Sequence, residues 1–179
     1  MFTVGGSAGP AAATHIAYYK IKTNNSGTEV SLVNNHNSFA EGNFQKLTAV
    51  RNCTNNGYWL LSYNSTNNAV YAFSIGSNAL NKTPVISKFS HSIAMAGDIV
   101  SSTNGQKLAI SEFSHNADGA QVVLLDVDKR CGTLTQNLVL YDTNGENAYG
   151  LAFSPSGKYL YATYSVGFSR LIQYNVETG

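Results

Sequence analysis

The chain has 179 residues, 43% of them hydrophobic and 12% charged, which is enough to bury the core of one domain and excludes a disordered chain. Its net charge is +1 without a basic patch, so nucleic acid is not an expected partner. No apolar run reaches the ~18 residues of a membrane-spanning helix. Met1 opens no signal peptide. Both ends are typical of an interrupted blade, and we expect a piece of a longer protein.

Uncharged polar residues dominate the polar composition. The chain has 20 Asn, 19 Ser and 14 Thr, and Asn and Ser favour turns because they bond to nearby backbone. Eleven Tyr and eight Phe favour pleated, half-buried strands. No segment places apolar residues at helical spacing over three turns, so the sequence predicts an all-β chain.

About 14 strands are predicted in chain order, lettered a to d from the innermost to the outermost of each unit. The first unit has b at 2–4, c at 15–22 and d at 28–33. The second has a at 46–51, b at 58–63, c at 69–75 and d at 84–89. The third has a at 98–102, b at 107–113, c at 121–127 and d at 134–141. The last has a at 149–154, b at 159–164 and c at 169–176.

A repeat organises these strands. The glycines of three similar a–b turns, Gly57, Gly105 and Gly157, lie 48 and 52 residues apart, and a second apolar segment follows each turn at similar spacing. A period near 50 residues with four strands per unit is typical of β-propeller blades. A β-sandwich, the alternative architecture, explains the short strands but not the repeat.

The prediction is therefore a β-propeller fragment of about 3.5 four-stranded antiparallel blades. Its units are 1–40 (incomplete), 44–91, 93–142 and 147–179 (incomplete). A seven-bladed propeller needs ~28 strands, so we expect an open arc that exposes aromatic surface such as Tyr18 or Tyr159 and that self-associates or is unstable.

Three segments carry a resemblance to a known family: 45–51 followed by 57–61, then 125–134, then 148–161. They resemble the propeller of large exported proteins of gliding and related Gram-negative bacteria, which end in a type IX secretion (gliding-motility-associated, type B) sorting domain. The resemblance implies a seven-bladed propeller of the YVTN/quinoprotein-like superfamily and a secreted or cell-surface location. It supplies no catalytic residues, and neither the signal peptide nor the sorting domain lies in this chain.

Acidic and histidine side chains are the candidate binding residues, because the b–c and d–a connections share the rim on which propellers usually bind ligands. Such groups could hold a metal or perform acid–base chemistry on a lactone. Their spacing matches no ligand motif, so no metal, cofactor or catalytic residue is predicted, and solvated loops explain them equally well. The candidates are His91, Glu112, His115, Asp118 and Glu146.

Other notable residues have structural interpretations. Trp59, Tyr58 and Tyr63 could stack a sugar ring, but their place in strand b favours packing between blades. The glycine-rich segment 5–10 lacks the lysine and helix of a phosphate loop. Cys53 and Cys131 are predicted on the opposite rim, in an a–b and a c–d turn, too far apart to form a disulfide.

The sequence favours a non-enzymatic module that binds a protein or glycan at the propeller rim, or serves as a scaffold, in a secreted or cell-surface protein. The missing remainder of its own propeller is a further expected partner. The alternative is a propeller enzyme of the lactonase type with a rim metal or acid–base site. A spacer without a ligand is a third interpretation.

Overall fold

The computed structural model describes residues 2–5, 15–18, 21–23, 30–32, 37–53, 56–77, 79–90, 93–94, 96–113, 121–141, 147–164 and 169–179. Every regular element in these ranges is a β-strand, which confirms the all-β prediction. None of the described residues belongs to a helix that could span a membrane. The strands are β1 Phe2–Gly5, β2 His15–Tyr18, β3 Ile21–Thr23, β4 Val30–Leu32, β5 Asn37–Glu41, β6 Phe44–Arg51, β7 Tyr58–Asn64, β8 Ala69–Ile75, β9 Val85–Lys88, β10 Ile99–Ser101, β11 Lys107–Ser111, β12 Gln121–Val127, β13 Leu134–Tyr141, β14 Ala148–Phe153, β15 Tyr159–Tyr164 and β16 Arg170–Asn175.

The sheets have the arrangement of propeller blades. Two four-stranded antiparallel sheets have the orders β6-β7-β8-β9 and β10-β11-β12-β13, and a three-stranded sheet has the order β14-β15-β16. The strands of each sheet follow one another along the chain, as in a blade. We number these sheets blades 2, 3 and 4. The predicted β-propeller fragment is confirmed at this level.

The first unit departs from the prediction. Strand c was expected to run over 15–22 and strand d over 28–33, but β2 ends at Tyr18 and pairs with β5 rather than with β4. Strands β3 and β4 form a separate two-stranded sheet. The reason is aromatic packing: the ring of Phe39 in β5 lies 5.1 Å from that of Phe73, edge to face, and 6.1 Å from that of Tyr18.

In blades 2, 3 and 4, the same main-chain hydrogen bond closes the turn between the first two strands. It runs from the amide of one residue to the carbonyl of the residue five positions later. The amides of Asn52, Ser102 and Ser154 donate to the carbonyls of Gly57, Lys107 and Tyr159, at 3.0, 2.9 and 2.8 Å. Each turn contains a residue in the left-handed region: Asn56 (φ 52°), Gly105 (φ 68°) and Gly157 (φ 74°). The Asn-Gly and Ser-Gly signals therefore mark the turns, as predicted.

The core lies between the blades. In β11, Leu108 and Ile110 face blade 2, whereas Ala109 faces blade 4. This alternation of period two gives each strand one face for each neighbouring blade. A third cluster, Ile16, Phe44, Leu60 and Phe73, joins the first sheet to blade 2. Face-to-face packing of successive sheets is the arrangement that the repeat predicted.

Candidate functional site on the upper rim

The strand pairing defines the rim that holds the site. Strands β6, β10 and β14 lie beside one another, as the innermost strands of neighbouring blades do. The start of each pairs with the end of the next strand: Lys46 with Tyr63, Ile99 with Ile110, and Ala148 with Tyr164. We call this end the upper rim. The lower rim is the opposite end, where the turns containing Asn56, Gly105 and Gly157 lie.

Lys46, at the start of β6, is the most unusual residue of the upper rim because only 2% of it is exposed. Its Nζ donates to the carbonyl of Ser111 at 2.7 Å and to that of Ala94 at 3.0 Å. Ser111 belongs to blade 3, and Ala94 to the connection that leads into it, so the ammonium joins blades 2 and 3. Burial lowers the pKa of Lys46 to about 7, while the charges of Glu112 and Asp98 oppose that decrease.

Tyr63 fixes the connection beside Lys46. Its ring centroid lies 5.5 Å from Lys46 Nζ. The Tyr63 hydroxyl accepts the amide of Ile93 at 3.1 Å, and lies 2.8 Å from the Ile93 carbonyl and 2.9 Å from Asn68 Oδ1. Burial raises the pKa of Tyr63, which keeps the hydroxyl protonated and able to donate. The start of the connection 93–98 is thus held by a neutral phenol and a lysine.

Two partly buried carboxylates complete the charged part of the site. Glu112 Oε1 accepts the amide of Ala94 at 3.1 Å. Asp98 accepts the amide of Ile99 through Oδ1 at 2.8 Å and that of Leu151 through Oδ2 at 3.2 Å. Asp98 therefore links blades 3 and 4, whereas Lys46 links blades 2 and 3. Lys46 and Glu112 share hydrogen bonds with Ala94, and Lys46 and Asp98 share them with Ser111, so the three charged residues are neighbours.

An aromatic side chain borders this charged group on the blade 4 side. Tyr149 is 54% exposed, and its ring lies 5.5 Å from that of Phe113 in an edge-to-face arrangement. The Tyr149 carbonyl accepts the Ser111 hydroxyl at 2.6 Å, and the same hydroxyl accepts the Asp98 amide at 2.7 Å. Ser111 therefore ties the strand that carries the ring to the residue that carries a carboxylate.

Of the five predicted rim candidates, the structure places Glu112 on the upper rim beside Lys46 and Asp98. His91, His115, Asp118 and Glu146 lie outside the described residues. Sequence reasoning missed Lys46, Asp98 and Tyr149, and it interpreted Tyr63 as a packing residue rather than as part of the rim. A signal for Lys46 was present, because the lysine is in phase with Val50, which packs between blades 2 and 3.

The three aromatic residues of β7 that were considered for sugar stacking lie at both ends of the strand, Tyr58 and Trp59 near the lower rim and Tyr63 at the upper rim. Trp59 is buried between blades 2 and 3, and its Nε1 donates to the carbonyl of Lys129 at 3.0 Å. Tyr63 is buried as well, whereas Tyr58 is 49% exposed. Gly132 (φ 77°) lies against the Trp59 ring, and a Cβ there would approach the ring to 2.9 Å. Trp59 and Tyr63 are therefore packing residues and not a sugar platform.

The two cysteines are exposed free thiols. The amide of Cys53 donates to the carbonyl of Lys129 at 3.2 Å, so the turn of blade 2 contacts the turn of blade 3 that carries Cys131. The a–b turn of blade 2 therefore contacts the c–d turn of blade 3, while the two cysteines that these turns carry are not joined by a disulfide. Cys131 Sγ lies 3.1 Å from Asp128 Oδ2 and lowers the pKa of that carboxyl.

Within the ranges given above, no three His, Cys, Asp or Glu side chains are placed to hold a metal ion. The chemistry that the described part of the upper rim offers is that of two carboxylates, a buried lysine, a phenol and an exposed aromatic ring.

No protein-family model matches the chain, and no curated protein matches it significantly. Two solved structures are similar in fold. One, described as a "putative 6-phosphogluconolactonase" from Bacteroides fragilis, is 20% identical with a TM-score of 0.59, over 92% of this chain and 49% of that one. The other, given the same description and from Bacteroides uniformis, is 15% identical with a TM-score of 0.54, over 97% of this chain and 63% of that one. The chain thus spans about half to three-fifths of their length, and the likeness establishes the fold.

Proposed function

We propose that this chain is part of a lactonase-type propeller enzyme, with its reaction at the upper rim. The observation that carries the proposal is that Lys46 and Glu112 both hydrogen-bond to Ala94, while Lys46 and Asp98 both hydrogen-bond to Ser111, so the three charged residues are neighbours on that rim. The similarity in fold to two structures described as lactonases supports the same class of reaction. The lactonase alternative therefore has more support than a role without catalysis.

Lactone hydrolysis adds the oxygen of a water molecule to the ring carbonyl carbon and breaks the bond from that carbon to the ring oxygen. The product is a hydroxy acid. A carboxylate that accepts the proton of the attacking water, and returns it to the departing ring oxygen, is sufficient as the acid–base group. Glu112 is our candidate for this group because it is partly exposed and the amide of Ala94 orients its Oε1.

Lys46 and Asp98 have supporting roles in this proposal. Lys46 is almost completely buried and does not touch a substrate, but its positive charge stabilises negative charge on Glu112. Asp98 holds the amide of Leu151 and so fixes the position of blade 4 relative to blade 3. Both are positioning residues.

The test is a pH-stat measurement of hydrolysis by the 179-residue chain at pH 7, with glucono-1,5-lactone, 6-phosphogluconolactone and δ-valerolactone as substrates. We expect turnover of at least one lactone above the spontaneous rate. The variant Glu112→Gln should lose roughly 10²- to 10⁴-fold of that turnover, the usual contribution of an acid–base group. Turnover no faster than in buffer, or an unchanged rate for Glu112→Gln, contradicts the proposal.

Asp126→Asn is the matched control. Asp126 forms a partly exposed ion pair with Lys107 at 2.6 Å, near the lower rim. Its replacement removes one carboxylate from the chain without changing the upper rim, so hydrolysis should remain at the wild-type rate. Thermal melts of both variants show whether they are folded.

A non-enzymatic binding or scaffolding module of an exported surface protein is the second candidate. One observation favours it: Lys46, in the first segment that carries the family resemblance, is used to join blades 2 and 3. The motif is then explained by packing, without catalysis. Sequencing the parent open reading frame tests the export part, because a signal peptide upstream and a sorting domain downstream are expected. A reading frame with neither contradicts it.

A further inference from the structure

We propose that the upper rim binds an uncharged, hydroxylated ring, such as an unphosphorylated sugar or sugar lactone. A ligand with a phosphate or carboxylate group is disfavoured. The inference rests on the proposed function for the location of the site. It goes further because it assigns a substrate class that differs from the phosphorylated compound in the description of the structural neighbours.

The first support is the charge of the rim. Asp98 and Glu112 place two carboxylates at the point where the ligand would lie, and like charges repel a phosphate. Among the described residues next to these carboxylates, Lys46 is the cation. Its Nζ already donates to two main-chain carbonyls. Because Lys46 is buried, it offers no exposed ammonium to a phosphate.

The amino-acid composition of the connections on this rim also disfavours an anionic ligand. The described residues of the connections between blades 2, 3 and 4 at this end of the sheets are 64–68, 89–90, 93–94, 96–98, 112–113 and 147. They include the acidic residues Asp98 and Glu112 and no Lys or Arg. Connections of this composition do not favour an anionic ligand beside Asp98 and Glu112.

The second support is the exposed ring of Tyr149. The Phe113 and Tyr149 rings pack in an edge-to-face arrangement, and Ser111 anchors the Tyr149 main chain. The ring is therefore a supported surface and not a freely moving side chain. The C–H face of a sugar ring stacks on such a surface, and its hydroxyls donate to carboxylate oxygens.

An uncharged ring fits better than an amine. The Lys46 charge offsets part of the negative charge of Asp98 and Glu112, and main-chain amides already donate to both carboxylates. In this arrangement the carboxylates act as acceptors of hydrogen bonds from neutral groups. Less negative charge remains to attract a cationic ligand.

The test is saturation-transfer NMR and calorimetric titration of the 179-residue chain at pH 7 and low ionic strength. The probes are glucose, glucose 6-phosphate and glucosamine. We expect glucose to bind at millimolar concentration and glucose 6-phosphate to bind at least about tenfold more weakly. Tighter binding of glucose 6-phosphate, glucosamine binding more than about tenfold tighter than glucose, or no glucose binding overturns the inference.

Variants locate the binding. Tyr149→Ala should weaken glucose binding about three- to tenfold, and Tyr149→Phe should retain it, because the face of the ring makes the contact. Tyr58→Ala is the control, because Tyr58 is similarly exposed on the lower rim, and it should bind like the wild type. Glu112→Gln should reduce the difference in binding affinity between glucose and glucose 6-phosphate. An unchanged affinity in Tyr149→Ala contradicts the proposed site.

The experiments can contradict the sugar-binding inference and the proposed lactonase activity independently of each other. A chain that binds glucose but hydrolyses no lactone sustains this inference and contradicts the proposed enzyme. A chain that hydrolyses lactones but prefers phosphorylated ligands sustains the enzyme and overturns the inference.

Discussion

At the scale of single residues, Lys46 makes the stability of the protein depend on pH. In the unfolded chain the amine has the ordinary pKa of 10.5, whereas burial lowers its pKa to about 7 in the folded protein. Between these values the unfolded state binds more protons than the folded state. The free energy of unfolding therefore rises with pH from about 7 to 10.5, and the full cost of the buried charge is present below pH 7.

We predict that this increase of the free energy of unfolding with pH disappears in the variant Lys46→Met. Urea denaturation of both proteins at pH 7 and pH 10 should show the wild type gaining on the order of a few kcal/mol relative to the variant. The comparison cancels the titration of other groups. Methionine leaves the Ala94 and Ser111 carbonyls without their lysine donor, so the absolute stability of the variant is not the readout. A difference in stability that is constant with pH contradicts the burial of Lys46.

Gly132 provides a second test at this scale. Its φ of 77° is unfavourable for other residues, and an added Cβ would approach the Trp59 ring to 2.9 Å. Gly132→Ala should lower the free energy of unfolding by about 1–3 kcal/mol and alter the fluorescence of Trp59, the only tryptophan of the chain. Gly76→Ala is the control, because the nearest atom lies 3.8 Å from its added Cβ. Equal melting temperatures for the two variants contradict this account.

At the scale of elements, most strands of blades 2 to 4 were predictable because turn signals and alternating apolar residues recur with one period. The strand β5 was not. Its segment Asn37–Glu41 has one aromatic residue, Phe39, and the reason it forms a strand is the contact of that ring with Tyr18 and Phe73. Such tertiary packing has no periodic signal in the sequence.

Phe39→Ala tests the place of β5 in the first sheet. Loss of a partly buried ring that packs edge to face on Phe73 should lower the free energy of unfolding by roughly 1–3 kcal/mol. Ile86→Ala serves as the comparison, because Ile86 in β9 is 48% exposed, and its effect should stay within about 0.5 kcal/mol. Chemical denaturation measures both, and equal small effects would show that β5 does not pack as described.

The candidate site was predictable in part, because the strand repeat fixes the end of the sheet at which each connection lies. The topology of a blade places Glu112 at the end of the second strand, so its rim location follows from the repeat. The partners Ala94 and Asp98 belong to a connection without a regular pattern. The burial of Lys46 depends on carbonyls of another blade, which the sequence of β6 alone does not specify.

At the scale of the whole molecule, interfaces between blades contribute most of the core, and the face of blade 4 directed away from blade 3 is exposed. Leu171 in β16 is 67% exposed on it. Tyr18 and Tyr159, the residues expected from the sequence to be exposed, are partly buried instead. The large apolar side chain exposed on this face is therefore Leu171, which the sequence analysis did not name.

We predict that the purified 179-residue chain self-associates through this face, because exposed apolar surface and a strand at the edge of its sheet, as β16 is among the described strands, favour association. Sedimentation velocity should show concentration-dependent oligomers for the wild type and fewer for Leu171→Gln. Ile86→Gln, a change of similar size on another strand, should not reduce association. A monomer at all concentrations contradicts this prediction.

The claim that unites these scales is that the upper rim, where blades 2, 3 and 4 meet, is the ligand site of the protein. The most direct test is NMR chemical-shift mapping of the backbone amides during titration with glucose. Perturbations should cluster at Ala94, Asp98, Ser111, Glu112 and Tyr149. Perturbations confined to the lower-rim turns near Gly105 and Gly157, or none at saturating glucose, would contradict it.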